Sequence, residues 1–227
     1  MRKLREFRGI NADVWQKFLA RRAENTYRLG NILFYQGNRP LGLFFICRGR
    51  VKLVKEDRFG HSRIVRVVEA PDILGDRAFF AERPYACSGE AMDETRACFL
   101  ERRVFCELFG QNLPMFHRLT QRFAQELGSA EHAMHCLSAC PVNARVATHL
   151  LMYPKQRGSN APLRGELTLQ ESRTELAQIL GTTIEAVSRA LALFASRRWI
   201  AVEGRHVRIL EEDRLRRAAC PHLPLEP

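Results

Sequence analysis

The sequence predicts an α+β chain of two domains, with short strands first, one long helix in the middle, and a compact helical segment closed by a small hairpin. Three observations predict it. Apolar runs alternate with turn residues from Arg28 to about Cys106; apolar positions recur at steps of three and four from Leu113 to Leu137; and the residues from Ser172 to Leu210 spell helix, glycine turn, helix and hairpin. A chain of 227 residues is long enough for two modest domains, each with its own core.

The strands come first. Ile32-Leu33-Phe34-Tyr35 ends at Gln36-Gly37-Asn38-Arg39-Pro40, Leu43-Phe44-Phe45-Ile46-Cys47 ends at Arg48-Gly49, and Val51-Lys52-Leu53-Val54 alternates before Asp57-Arg58-Phe59-Gly60. Ile64 to Val68 and Ala97 to Leu100 add two more, around a longer Gly- and Pro-containing excursion between Pro71 and Gly89. Regular strand and turn spacing of this kind predicts a sandwich or jelly-roll barrel, a β-roll over residues 1–110.

The period then changes. Asn112 caps a helix whose first turn tolerates Pro114, and Leu113, Phe116, Leu119, Phe123, Leu127, Ala130, Met134 and Leu137 form one stripe. At 1.5 Å per residue such a helix runs roughly 39 Å, with a stripe spaced like a coiled-coil seam. It either packs on its own β domain or forms a dimer seam, for which Leu119, Phe123, Leu127, Ala130 and Met134 are the candidates. Residues 111–138 are thus read as a dimerisation helix, with the domain boundary near Ser138 to Pro141. Pro141 and the stretch Tyr153 to Pro162 bracket a short helix, Val142 to Met152, and a Pro-rich tail is expected at 221–227.

Lys and Arg number 36 against 25 Asp and Glu, a net charge of +11. Such a balance predicts attraction to a polyanion, either nucleic acid or an acidic membrane surface, with a merely soluble basic surface as the bland alternative. No stretch approaches the roughly 20 apolar residues that cross a bilayer, and the start MRKLREFRGI lacks a signal-peptide core, so a cytoplasmic protein with no membrane partner is expected. The seven cysteines are scattered, odd in number and free of any C-x-x-C pair, which fits reduced thiols, most of them small core residues.

Residues 139–220 carry the most informative pattern. Ser172-Arg173-Thr174-Glu175 is a capping box, followed by Leu176, Ala177, Ile179 and Leu180 as a buried face. Gly181 stands where a chain leaving a helix needs a left-handed residue, and Thr182-Thr183 offer a fresh N-cap. Helix, short glycine turn and helix is the layout of a DNA-binding helix-turn-helix. On the second helix Ile184, Val187, Leu191 and Phe194 are expected to pack inward, while Glu185, Ser188 and Arg189 share the other face.

That second face has base-reading chemistry. Arg189 can donate two parallel bonds to guanine, Glu185 can accept from a cytosine amine, and Ser188 is small enough to approach a neighbouring thymine. Taken singly, Glu185 as part of a capping box with Thr182, Arg189 as a solvated charge and Ser188 as filler have structural readings; together they favour duplex DNA. Trp199 to Val202, a Glu203-Gly204 turn and His206 to Leu210 read as a wing, with Thr183, Arg173, Arg197, Arg198 and Arg205 as further DNA contacts or solvated surface.

Over almost its whole length the chain resembles the CRP/FNR family of bacterial regulators. Gly30 to Gly37 with Gly49 to Leu53 resembles the family's opening β-roll, Gly75-Asp76 its Gly-Glu turn, and Glu185-Ala186-Val187-Ser188-Arg189 its recognition helix. The resemblance implies a β-roll sensor, a homodimer joined along the long helix, a C-terminal winged helix-turn-helix in successive major grooves, a pseudo-palindromic operator, and RNA polymerase as a partner of an activator. Ile184 before Glu185 and Ser188 before Arg189 resemble the FNR branch more than the cyclic-AMP branch, implying a TTGAT-like half-site.

Cyclic-nucleotide binders of the family hold the cyclic phosphate with Gly-Glu and a later Arg-Ser or Arg-Ala pair. Here Tyr85-Ala86 stands in the place of that pair and Asp76 in the place of the Glu, with Arg83 the one nearby replacement. Gly75, Asp76, Arg83, Tyr85 and Ala86 are the candidate effector pocket, and a redox, gas or small-molecule signal is expected over cyclic AMP. Cys98 sits where the distant ligand of an FNR-type iron-sulfur cluster would lie, but residues 1–46 hold no cysteine, which argues against that cluster; haem stays open with no axial residue singled out.

His132, His135, Cys136 and Cys140 lie at i, i+3, i+4 and i+8 near the end of the long helix, ligand types suited to zinc or thiols open to oxidation, against the plainer reading of a helix end with packed thiols. Two other classes compare less well. A β-roll module acting on a protein partner leaves the helix-turn-helix unexplained, and an enzyme lacks any nucleophile-base pair, phosphate loop or catalytic metal motif.

Overall fold

The computed structural model describes Leu4, residues 7–153 and residues 166–220; the readings made on residues 1–3, 154–162 and the 221–227 tail lie outside the described residues. Two compact units divide the chain, Met1–Leu127 and Gly128–Pro227.

In the first unit, β1 (Ala23–Tyr27), β2 (Ile32–Phe34), β3 (Gly42–Arg48), β4 (Arg50–Glu56), β5 (Ser62–Glu69), β6 (Asp72–Leu74), β7 (Ser88–Ala91) and β8 (Thr95–Glu101) build two antiparallel sheets. Their orders are β1-β8-β3-β6 and β2-β7-β4-β5, so early and late strands interleave, as the jelly-roll reading expects. β3 shows why its residues form one apolar run. Phe44 and Ile46 enter the core between the sheets with Phe34, Val51, Val68 and Ala97, while Leu43 and Phe45 face a second core with Phe18, Phe105 and Phe109. A strand buried on both faces has no polar side to alternate with.

That second core belongs to helices that the strand reading does not contain. α1 (Ala12–Arg21) is capped by Asn11, whose Oδ1 accepts from the Asp13 N–H at 2.9 Å, and α3 (Arg102–Phe109) follows β8 directly. The Pro71 to Gly89 excursion is also structured, holding β6, α2 (Asp76–Ala81) and the start of β7.

α4 (Leu113–Ala139) begins where Asn112 Oδ1 accepts from the Met115 N–H at 3.0 Å. Its apolar stripe does not act as one surface. Met115 and Leu119 are buried in the core of the first unit, so Leu119 is not free for a seam, while Phe116 and Phe123 pack against that core and stay partly exposed. Leu127, Met134 and Leu137 are exposed, as is Ala130. A near-heptad stripe drifts around a straight helix by about 20° per heptad, enough for the two halves of the stripe to meet different surroundings.

The second unit holds α5 (Val142–Met152), β9 (Glu166–Thr168), α6 (Arg173–Ile179), α7 (Ile184–Ser196), β10 (Ile200–Glu203), β11 (His206–Ile209) and α8 (Glu212–Ala218). The wing is three-stranded in the order β10-β11-β9, one strand more than the hairpin expected, and its turn residues are Gly204 and Arg205, because Glu203 pairs with His206. Val146, Leu150, Leu176, Val187, Leu191, Phe194, Ile200 and Val207 fill its core. Among the described residues no single helix is long and apolar enough to cross a membrane.

Candidate functional site

The helix-turn-helix is built by local chemistry first. Ser172 Oγ accepts from the Glu175 N–H at 3.2 Å while Glu175 Oε2 accepts from the Ser172 N–H at 2.9 Å, so the capping box closes both ways. At the other end of α6 the Thr182 N–H reaches the Ala177 carbonyl at 2.9 Å across Gly181, whose φ of +60° only glycine adopts without strain. α7 then starts with Thr183 as N-cap, its Oγ1 accepting from the Ala186 N–H at 3.3 Å. The two helices meet at 99°, inside the range of helix-turn-helix pairs. Arg145 on α5, which no local pattern marks, donates to the carbonyls of Leu180 and Gly181 and so ties α5 to this turn.

α7 buries Val187, Ala190, Leu191 and Phe194 and leaves Glu185, Ser188 and Arg189 exposed on the opposite side. Ile184 departs from expectation at 41% exposed, because it occupies the first turn beyond the edge of the core. Glu185 is not the third residue of a capping box with Thr182, since Thr183 is the cap. Its own backbone N–H, then Thr183 and Arg189, hold its carboxyl below the usual range, so it stays an acceptor at neutral pH. The exposed face thus offers one anionic acceptor, one small hydroxyl and one guanidinium fork.

The flanking arginines have different employments. Arg173 is half-buried and donates to the Gly204 carbonyl at 2.9 Å, pinning the wing tip to α6. Arg197 lies over the Trp199 ring at 5.1 Å, and Arg205 Nη1 reaches the Gln170 carbonyl at 3.4 Å while staying exposed. Arg198 is exposed with φ +58°, at the position Gly181 holds after α6, and the Trp199 N–H closes the same type of end on the Phe194 carbonyl at 2.9 Å.

In the first unit the turn from β6 into α2 brings together the residues of the candidate effector pocket. Gly75 has φ +84°, and a Cβ there would stand 3.2 Å from the Tyr85 ring. Tyr85 is 6% exposed and stacks on Phe34 with centroids 4.2 Å apart. Arg83 and Ala86 are exposed. Asp76 is buried beside Arg122 of α4, Oδ2 to Nη2 3.4 Å, and its Oδ2 accepts no hydrogen bond from the described residues.

Arg122 also bonds Asp72 Oδ1 at 2.7 Å, Glu126 Oε1 at 2.8 Å and the Ile73 carbonyl at 2.9 Å, while Arg66 joins Glu126 at 2.8 Å and Asp72 at 3.2 Å. Three carboxylates face two guanidiniums. Burial therefore pushes the deepest, Asp76, up to about 6 against the pull of Arg122, with Glu126 adding to the push. An anionic phosphate needs a free guanidinium and space. An aromatic ring and an acidic network stand at this turn, with the guanidinium of Arg83 exposed.

The cysteines pair in two places. Cys98 Sγ lies 3.6 Å from Cys47 Sγ; the contact with Cys98 draws the Cys47 thiol down to about 7 and the contact with Cys47 raises Cys98. Near the end of α4, Cys136 Sγ is 3.4 Å from His132 Nε2, and Cys136 and Cys140 are joined by Cys220, which follows α8. His135 is exposed and lies outside this group. Cys220 is 80 residues from Cys140 in sequence, so no spacing pattern could have joined them.

Comparison with known proteins agrees with this geometry. Residues 24–112 match the cyclic nucleotide-binding domain family and residues 144–218 the Crp-like helix-turn-helix domain family. The chain is 27% identical over 213 residues to a CRP-like cAMP-activated global transcriptional regulator of Mycobacterium tuberculosis, covering 94% of this chain and 95% of that one. It is 28% identical over 188 residues to the transcriptional activator protein anr of Pseudomonas aeruginosa, covering 82% and 76%. In fold it is similar to FixK2 from Bradyrhizobium japonicum, with TM-score 0.77 at 22% identity over 89% of this chain and 99% of that one. A CooA mutant from Carboxydothermus hydrogenoformans gives TM-score 0.73 at 20% identity, covering 88% of each. The two relatives matched in sequence are transcription regulators by name, and with both domain types matched in order the chain is a CRP/FNR-type transcription regulator with a DNA-binding helix-turn-helix.

Proposed function

We propose that this regulator works as a cytoplasmic homodimer, reads a pseudo-palindromic operator with TTGAT-like half-sites, and answers to a signal other than a cyclic nucleotide. The observation that carries the reading is the exposed Glu185, Ser188 and Arg189 face, backed by a buried face on the same helix and set at 99° to α6. Arg189 takes a guanine edge, Glu185 a cytosine amine and Ser188 the neighbouring step; Arg197, Arg198 and Arg205 neutralise phosphates, and Thr183 and Arg173 support the helix and wing that present them. The exposed Leu127, Ala130, Met134 and Leu137 on α4 supply the dimer seam, which buries apolar surface when a second copy is parallel to the first. Contact with RNA polymerase as an activator follows from the family.

Residues 1–110 act as the sensor, 111–138 as the connecting and dimerising helix, and 139–220 as the reader. Fluorescence anisotropy with a TTGAT palindrome and with its scrambled sequence, at fixed salt, is the test. Tighter binding to the palindrome by a species of twice the chain mass supports the reading, and equal affinity for both duplexes overturns it. A calorimetric titration with cyclic AMP should give no heat of binding, because the Tyr85 ring and the Asp76 network stand where the phosphate would be held and Arg83 is the one candidate counter-charge left.

A further inference from the structure

We propose that Cys136, Cys140 and Cys220, with His132, form a binding site for a thiophilic metal ion, Zn²⁺ or a like cation. The three sulfurs all lie within 4.8 Å of one another, and His132 Nε2 stands 3.4 Å from Cys136 Sγ. Tetrahedral zinc, with bonds of about 2.3 Å to sulfur and about 2.0 Å to nitrogen, separates its sulfurs by about 3.8 Å and a sulfur from a nitrogen by about 3.5 Å. The sulfur separations thus lie within about 1 Å of those in a zinc site, whereas the His132 ring, outside the group of atoms mutually within 4.8 Å, must turn from Cys136 toward the other sulfurs to complete three thiolates and one imidazole, a ligand combination found in structural zinc sites.

Backbone geometry arranges the ligands. His132, Cys136 and Cys140 follow one another at intervals of four, so they rise along one face at the end of α4, where the Cys140 N–H still reaches the Cys136 carbonyl at 3.0 Å. Cys220 is brought to them by α8, and its N–H donates to Thr148 Oγ1 of α5 at 3.0 Å, which fixes that residue independently of any metal. Cys136 and Cys220 are 9% and 4% exposed and cluster with Ala144 and Cys140. Each cysteine releases its thiol proton to solvent as its sulfur takes the dication, so affinity rises with pH. The bound ion would tie the end of α4 to the residue that follows α8.

The test uses the full chain, reduced and purified without chelator, with Zn²⁺ and Co²⁺ as probes. Metal analysis after gel filtration should find about one zinc per chain, and Co²⁺ should give the visible bands of a tetrahedral site with ultraviolet thiolate-to-cobalt charge transfer. Cys136→Ser, Cys140→Ser and Cys220→Ser should each lose the bound metal, His132→Ala should bind it more weakly with an altered cobalt spectrum, and Cys106→Ser should keep it. The cobalt spectrum of the unaltered chain stands even if a variant misfolds. A reduced wild-type chain that takes up neither ion, or one that forms a disulfide among these cysteines in air and binds no metal when reduced, overturns the proposal, as does full metal content in Cys220→Ser.

Discussion

Two turns in this molecule each hinge on a left-handed glycine and have opposite surroundings. Gly75 with φ +84° leads β6 into α2, and Gly181 with φ +60° leads α6 toward α7. After Gly181 the polar side chains that follow, Glu185, Ser188 and Arg189, are left exposed, because the hydrophobic residues of α7 satisfy the core from the other side. After Gly75 the acidic side chain turns inward to Arg122, and Tyr85 covers the glycine with a ring stacked on Phe34. A turn that keeps its backbone can lose its ligand chemistry once neighbouring elements occupy it. The difference teaches that a motif marks where a ligand was or could be held, while the surrounding side chains decide whether it still is.

The largest expected effect tests the occupied turn. Arg122→Ala leaves Asp72, Asp76 and Glu126 without their shared cation and should destabilise the first unit by about 3 to 5 kcal/mol, read from urea unfolding. A loss under half of that would mean that the network does not hold α4 on the β-roll. At the open turn, Arg189→Ala should weaken the palindromic operator by about 1 to 3 kcal/mol, roughly 5- to 150-fold in Kd, with scrambled DNA nearly unaffected. Uniform weakening on both duplexes would reassign Arg189 to phosphate.

A smaller change compares the ends of α6 and α7. Both close with the same pair of backbone bonds, but the left-handed residue is Gly181 in one and Arg198 in the other. Arg198→Gly should raise the stability of the second unit by about 1 kcal/mol in chemical unfolding while lowering the salt slope of DNA binding by about 1. Unchanged stability would mean that the strain is already relieved by the side chain's contacts.

The last prediction sets the two units against each other in pH. Burial raises Asp76 to about 6 from its ordinary 3.8, so between those values the folded chain keeps a proton that the unfolded chain has lost, and this group's contribution falls as pH rises through that window. Burial lowers His149 from its ordinary 6.5, against the weaker upward pull of Glu171. Below 6.5 the unfolded chain therefore takes up a proton that the folded one refuses, and this contribution falls as pH drops. Comparing melts from pH 4 to 7, Asp76→Asn should flatten the first trend and His149→Gln the second; a wild-type slope surviving in either variant would assign it to another group.

Local signals carried much of this structure. The Ser172 to Glu175 capping box, the Gly181 turn and α5 from Val142 to Met152 appear as read, because each is decided by residues within a few positions of one another. α1 had an equally local signal in Asn11, Val14, Trp15, Phe18 and Leu19, upstream of the strand pattern that dominates the reading. The long helix was readable as a helix, but not the division of its stripe between a core and a free surface, since periodicity says which residues share a face and not what that face meets.

The sequence by itself determined the order of strands, long helix and helix-turn-helix, and the face of α7 that carries Glu185, Ser188 and Arg189, because hydrogen-bond caps and apolar period act over a few residues. Only the tertiary structure decided that Arg122 pairs with Asp76, that Arg145 holds the helix-turn-helix, and that Cys220 completes the thiol cluster with Cys136 and Cys140. Those partners lie 35 to 84 residues apart, and contacts at such separations are set by how whole elements pack, which no short stretch of chain encodes.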